Sequence, residues 1–215
     1  MQGHFDAMVI DDLGMGDAPF LAAIDNQDID GLLDRHPIAA RASTPNQVFQ
    51  PLVQQILAVI FGMPAVGTNG NGAAAVALSQ LSTEPAYTDH TSTVYTDYDW
   101  FSSAGGDDWS HVASQFRRFW ADRSEPTLIW TDPNREGYYY RDRFLWLPSN
   151  GVFTNIRSIV AYGSDNANNN NTANNYQYWR MSRTRLKDSG GNPITLQKSG
   201  SQGFLVEYTI KLFSR

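Results

Sequence analysis

The sequence contains no cysteine, and this absence removes several classes of chemistry at once. Disulfide frameworks, thiolate nucleophiles, cysteine-ligated zinc and iron–sulfur clusters are all excluded. Charged residues make up only 18% of the 215 residues, against roughly 25% in an average soluble domain. Glutamate is rare among the acids, with only Glu84, Glu125, Glu136 and Glu207. Because glutamate favours helix interiors and aspartate favours turns and caps, this choice indicates a chain rich in strands and loops.

Long apolar runs are also absent. The longest runs, Ile56–Phe61 among them, are far too short to span a bilayer. The first residues, MQGHFDAMVIDD, lack the basic-then-apolar order of a signal peptide. We therefore expect no membrane contact.

Neither half of the chain has the basic excess that would predict nucleic acid as a partner. Residues 1–100 hold 12 acids and two bases, and residues 101–215 hold 10 acids and 14 bases, which together give the net charge of −6. This unequal split has two interpretations. Either an acidic solvated segment adjoins a nearly neutral domain, or opposite charges steer copies of the chain together.

Catalytic and metal-binding motifs are the third absence. None of the four histidines has metal-ligand spacing, and no nucleophile motif such as GxSxG occurs. The acid-rich stretch DNQDIDGLLD (25–34) resembles a calcium loop, but its glycine and its twelfth position do not fit the required spacing. We therefore predict a protein that is not an enzyme and that uses no cofactor or metal.

What the chain does contain is a strongly aromatic stretch, LIWTDPNREGYYYRDRFLWLP (128–148). It predicts a β-hairpin, with strands at 127–131 and 138–147 joined by a polar turn. Further strands are predicted at 152–162, 176–187, 194–197 and 204–213. The last of these shows the clearest alternation of apolar and polar residues.

Short helices are predicted within residues 1–43, and three further helices follow. Thr44 and Pro45 read as an N-cap and first helical residue, followed by a run to Phe61 that is apolar on nearly every side. A second, short helix is predicted at 73–81. A third, at 108–123, is amphipathic, with Trp109, Phe116 and Phe119 on one face.

These elements predict an α+β fold in which an antiparallel β-sandwich or barrel packs one amphipathic helix and is preceded by a helical and irregular N-terminal arm. The predicted division is an acidic arm with helices at 1–82, making assembly contacts, and a β-rich domain at 83–215.

Two groups of side chains are candidates for surface contacts. The apolar helix, the hairpin and the basic strand 176–187 supply nine predicted subunit-interface residues: Val48, Leu52, Ile56, Ile60, Tyr139, Trp146, Arg180, Arg183 and Arg185. The aromatic residues of 100–101, 130, 138–140 and 146 are also compatible with a sugar-stacking platform, although core and interface positions fit a two-faced strand better.

The helix at 108–123 followed by the hairpin resembles the helix-then-hairpin of tail-tube and distal-tail proteins of long-tailed bacteriophages. The matching residues are Trp109, Phe116, Phe119, Leu128, Ile129, Trp130, Asp132 and Tyr138–Tyr140. The pattern covers about 40 residues, and residues 1–82 do not match it. The cysteine-free composition, rich in Asn, Thr and Gly and poor in charge, is similar to that of virion structural proteins in general.

This resemblance implies a structural subunit of a phage particle. The expected role is a homo-oligomeric ring or tube of the tail or neck, with copies of itself and other virion proteins as partners and the virion as its location. Two alternatives stay open, namely a capsid or decoration subunit with a β-sandwich fold and a carbohydrate-binding module.

Overall fold

The computed structural model describes residues 2–26, 28–48, 71–79, 82–85, 117–119, 128–132, 135–165 and 177–213. This part of the chain is mostly antiparallel β-sheet with two short helices, in agreement with the predicted β-rich α+β class. The strands are β1 (Gln2–Asp11), β2 (Ile38–Val48), β3 (Asn71–Ser79), β4 (Arg117–Phe119), β5 (Leu128–Asp132), β6 (Arg135–Trp146), β7 (Phe153–Ile156), β8 (Ser158–Asp165), β9 (Gln177–Arg185), β10 (Leu196–Lys198) and β11 (Gln202–Phe213). The helices are α1 (Ala18–Asp25) and α2 (Ile29–Arg35).

Nine strands form one sheet in the order β3-β8-β9-β2-β1-β11-β6-β4, with β5 also paired to β6. The first strand lies near the middle of this sheet. It pairs along its whole length with β11, from Gln2 opposite Lys211 to Asp11 opposite Gln202, and with β2 on its other side. Strands β7 and β10 form a separate two-stranded sheet.

The central strands bury apolar side chains on both faces. On one face of β1 and β11, Phe5 and Tyr208 stack with ring centroids 4.6 Å apart, in a core cluster that also contains residues of β3, β7 and β8. On the other face, Met8, Leu145 and Leu205 pack in a second cluster together with α1 and α2. The alternation of side chains along an extended strand allows both faces to be covered.

The two helices form a short hairpin inserted between β1 and β2. The Asp28 carboxylate caps α2 by accepting a hydrogen bond from Gly31 N, at 3.0 Å, so an acid of the stretch 25–34 serves as a helix cap. The ring of Phe20 from α1 lies directly against Gly203 of β11, a position that only a residue without a side chain can provide.

The prediction of an N-terminal arm is wrong for the described residues. Short helices are present as expected, but residues 2–11 and 38–48 are strands of the main sheet rather than an extension lying on it. Strands on both sides of residue 82 pair with each other, so the predicted division at that position cuts through one sheet.

The predicted helices also fail where they can be compared. Residues 45–48 continue β2, because the hydroxyl of Thr44 accepts a hydrogen bond from Lys187 N (3.1 Å) and so does not cap a helix. Residues 71–79 form β3, which pairs with β8. Residues 117–119 form β4 on the edge of β6. The remainder of the helices at 45–61 and 108–123 lies outside the described residues.

The strand predictions are confirmed in the C-terminal half. The hairpin consists of β5 and β6, with Asp132 opposite Arg135. The expected strand at 152–162 is divided into β7 and β8, with Arg157 between them. Strands β9, β10 and β11 occupy the predicted regions to within a few residues.

Candidate functional site

One end of the sheet collects the exposed apolar side chains. In the described ranges, four large apolar residues are exposed: Leu13 at 56%, Met15 at 53%, Ile38 at 39% and Val152 at 66%. They lie on the loop after β1, at the start of β2 and on the loop after β6, and these three positions meet at the same end of the sheet. We call residues 12–17, 36–38, 148–152 and 199–201 the end surface.

Hydrogen bonds join the loops of the end surface to one another. Asp12 N donates to Ser201 O at 3.1 Å, and Asp11 N donates to Pro37 O at 3.0 Å. The Asp17 carboxylate accepts from both the backbone N–H and the hydroxyl of Ser149. The apolar side chains are therefore carried by fixed loops, which is the condition for a defined contact surface.

Leu13 sits in a turn that is unfavourable for its residue type. Met15 N donates to Asp12 O at 3.0 Å, and the two central residues both have positive φ, 54° at Leu13 and 78° at Gly14. Positive φ at both central positions is typical of a type I′ turn, which prefers Asn-Gly. A leucine held in this conformation is strained by about 1 kcal/mol and is exposed as well, so the turn stores strain where a functional contact is expected.

Beneath the end surface lies the fully buried side chain of Lys198. Its ammonium donates to three carbonyl oxygens, those of Pro148 (3.0 Å), Gly151 (2.6 Å) and Ser199 (3.1 Å). Burial lowers the pKa of Lys198 to about 8, although the nearby Asp17 carboxylate acts to raise it. The amine fastens two loops of the end surface together from below.

The end surface is acidic as well as apolar. Asp11, Asp12 and Asp17 border it, and each accepts hydrogen bonds from neutral donors, namely the Gln202 amide, the Gly14 N–H and Ser149. Neutral donors orient a carboxylate without cancelling its charge. Buried Lys198 lies near Asp17 and offsets part of its charge.

A second polar feature is a row of charges on the face of the sheet that α1 and α2 partly cover. Arg143 on β6, almost fully buried, donates to Glu207 at 2.8 Å and to Asp30 of α2 at 2.5 Å. Burial acts to lower the pKa of Arg143, but the bonds to Glu207 and Asp30 outweigh it and raise that pKa. Arg143 thus ties the helical hairpin to the sheet.

The same row contains a serine, a histidine and an aspartate that do not form a catalytic triad. His4 Nε2 lies 2.9 Å from Ser43 Oγ and 3.5 Å from Asp6 Oδ2. A triad needs the serine and the carboxylate on opposite ring nitrogens, so that one nitrogen takes the serine proton while the carboxylate orients the ring through the other. Here both partners share one nitrogen, and we assign these contacts to cross-strand stabilisation.

No family model, no curated protein and no solved structure matches this chain. Function therefore has to be argued from the geometry. Within the described ranges, no three His, Asp or Glu side chains are grouped as metal ligands. Neither described helix is long and apolar enough to cross a membrane.

The nine predicted interface residues fall into three groups. Trp146, Arg183 and Arg185 are buried in their own chain, which removes them from the candidate interface. Trp146 packs edge-on against Phe204, and Arg183 and Arg185 donate to backbone carbonyl oxygens. Val48, Tyr139 and Arg180 lie in β2, β6 and β9, respectively. Leu52, Ile56 and Ile60 lie outside the described residues.

The end surface was missed by the sequence analysis. Its signal is the segment DLGMG (12–16), in which two glycines flank an apolar residue immediately after a strand. Turn chemistry of this kind predicts a tight loop, and a loop that displays leucine and methionine indicates a contact surface. Lys198 has no comparable signal, because three backbone carbonyl groups that converge in space leave no trace in a sequence.

Proposed function

We propose that this protein is a structural subunit of a bacteriophage particle that assembles into a homo-oligomeric ring or tube of the tail or neck. The observation that carries the proposal is the end surface. Four large apolar side chains exposed on hydrogen-bonded loops present the kind of patch that marks a protein–protein contact. A strained leucine among them costs the monomer stability, which is understandable if the residue serves an assembled state.

The architecture supports the same proposal. The core cluster that contains Phe5 and Tyr208 also includes Val76 of β3 and Ile159 of β8, from one end of the strand order, and Phe144 of β6, beside the strand at the other end. Residues at or near the two ends of the strand order thus share one core. We propose that the sheet curves into a sandwich or barrel.

The assignment to a phage tail rests on the sequence resemblance, whose pattern is a helix followed by a hairpin. The aromatic hairpin is present as β5 and β6. The preceding helix does not extend over residues 117–119, which are β4. A carbohydrate-binding platform is disfavoured, because Trp146, one of its candidate rings, is buried in the core.

Sedimentation and electron microscopy of the purified protein test this proposal. We expect a discrete oligomer at micromolar concentration, visible as rings or short tubes in negative stain. Replacing Met15 and Val152 together by serine removes exposed apolar area without touching the core, so it should dissociate the oligomer. Gln197→Ala, at an exposed position on β10, is the matched control and should assemble normally.

Two outcomes would contradict the proposal. One is a wild-type chain that stays monomeric up to high micromolar concentration. The other is a double serine variant that assembles as well as Gln197→Ala does. Labelling of the protein on the shell of a virion, rather than on its tail or neck, would favour the capsid or decoration alternative.

A further inference from the structure

We infer that the end surface of one copy docks on a basic cluster of the next copy, in which Arg157 and Lys187 are partly exposed beside the buried Arg185. The inference rests on the proposed homo-oligomeric function and names the two surfaces that meet. It specifies a contact between unlike surfaces, so that each copy uses one surface to bind and offers the other to be bound.

The charge of the end surface argues against a contact between two identical surfaces. The ranges of the end surface contain Asp12 and Asp17 and no lysine or arginine, a net charge of −2, and Asp11 adjoins them. A symmetric dimer through the end surface would bring two such acidic surfaces together. Like charges brought together across an interface cost several kcal/mol, so the apolar residues are expected to meet a surface of opposite sign.

Such a surface exists at the junction of β8 and β9. Arg157 and Lys187 are partly exposed there, next to the buried guanidinium of Arg185. Arg185 donates to Arg157 O and, at 3.0 Å, to Ile194 O, and these neutral carbonyl groups leave its charge in place.

The local balance at this junction stays positive. Lys187 pairs with Glu84 at 3.1 Å, so the three bases of the cluster are matched by one carboxylate within the described contacts. Burial and the nearby Arg157 lower the pKa of Arg185, while Glu84 acts in the opposite direction. Repulsion between neighbouring cations is relieved when an acidic surface approaches.

The two surfaces are far enough apart for one copy to use both. Lys187 N donates to the hydroxyl of Thr44, which follows Ile38 of the end surface by six residues along β2. At about 3.3 Å per strand residue, this separation is about 20 Å. A chain with two separate, complementary surfaces can continue binding further copies, and it forms a ring when the rotation closes.

The test uses two variants that each remove one surface. Leu13→Asp with Met15→Asp adds charge to the exposed loop of the end surface, and Arg157→Glu with Lys187→Glu reverses the basic cluster. Thermal melting followed by circular dichroism confirms that each variant folds, and Arg157→Gln with Lys187→Gln serves if charge reversal unfolds the chain. Masses are then measured for wild type, for each variant and for their equimolar mixture.

We expect wild type to form oligomers, each variant alone to be monomeric, and the mixture to give one-to-one dimers and nothing larger. Such dimers form because one variant keeps the end surface and the other keeps the basic cluster. A mixture that stays monomeric while wild type assembles overturns this inference and leaves the proposed function standing. So does a basic-cluster variant that assembles like wild type. A monomeric wild type contradicts the proposed function itself.

Discussion

At the scale of single residues, Leu13 is unfavourable for the folded monomer but is exposed for contact with another subunit. It occupies the first central position of a turn with φ of 54°, followed by Gly14. Asparagine is far better suited to this position. Leu13→Asn should therefore raise the free energy of unfolding by about 1 kcal/mol, measured by urea denaturation of the monomer at low protein concentration.

Met15→Asn is the control for Leu13→Asn, because Met15 is equally exposed but has no positive φ. It should leave the unfolding free energy within about 0.5 kcal/mol of wild type. If Leu13→Asn destabilises the monomer, the turn is not strained in the way we describe. Both variants should weaken assembly, and a gain in monomer stability together with a loss of association is the signature of a strained contact residue.

Lys198 is expected to be essential for the stability of the loops it fastens. Lys198→Met keeps the length of the side chain but removes the donor shared by the carbonyl groups of Pro148, Gly151 and Ser199. The unfolding free energy should fall by about 2–4 kcal/mol, since buried acceptors lose their partner. Lys187→Met, at a partly exposed ion pair with Glu84, should cost less than about 1 kcal/mol. Equal losses of unfolding free energy in the two variants would show that Lys198 does not hold these loops together.

Asp6 should make stability depend on acid pH. Burial acts to raise its pKa, but hydrogen bonds from His4, Ser43 and Arg41 outweigh this and lower the pKa to about 2 from the ordinary 3.8. Its contribution is therefore fully present above about pH 4 and is lost as the pH falls towards 2. Wild type should lose about 1–2 kcal/mol more than Asp6→Asn between pH 5 and pH 2, measured by urea denaturation at each pH. Parallel curves would exclude this role.

At the scale of elements, the helical hairpin depends on one missing side chain in the sheet. A Cβ atom at Gly203 would overlap the ring of Phe20. Gly203→Ala should therefore displace α1 and lower the unfolding free energy by about 1–3 kcal/mol. Gly200→Ala is the matched control, because a Cβ there meets no atom within 4 Å. Hydrogen exchange of residues 18–35 should accelerate in the Gly203 variant only, and unchanged exchange would contradict this packing.

The elements also show what a sequence reveals. Strand β11 was predictable because Phe204, Val206 and Tyr208 alternate with residues on the other face of the strand. Such a period of two can be read directly from the sequence. The failure of the helix expected from Thr44 was not predictable. Thr44 is a suitable helix cap by residue type, but its hydroxyl accepts a hydrogen bond from Lys187, 143 residues away. A local sequence preference is overridden when a tertiary partner offers a better hydrogen bond or a buried face.

At the scale of the whole molecule, the β-rich class follows from composition and alternation, whereas the strand order does not. The sheet places β1 between β2 and β11, so the two ends of the described chain are neighbours. Such pairing depends on backbone hydrogen bonds that any sequence can make. The N-terminal residues therefore carried no mark of their central position, and their acidic character pointed instead to a solvated arm.

The central position of β1 gives a prediction that distinguishes a core strand from an arm. Removing residues 1–11 deletes a strand that pairs on both sides and buries Phe5, Ala7, Val9 and Ile10. The shortened chain should lose cooperative unfolding, seen by circular dichroism, because an unpaired gap would open in the middle of the sheet. A synthetic peptide of residues 1–11, added in trans, should restore the transition by supplying the missing strand. A peptide with Phe5 and Val9 replaced by aspartate is the control and should not restore it. A shortened chain that unfolds cooperatively without any peptide would show that residues 1–11 are an arm and not a core strand.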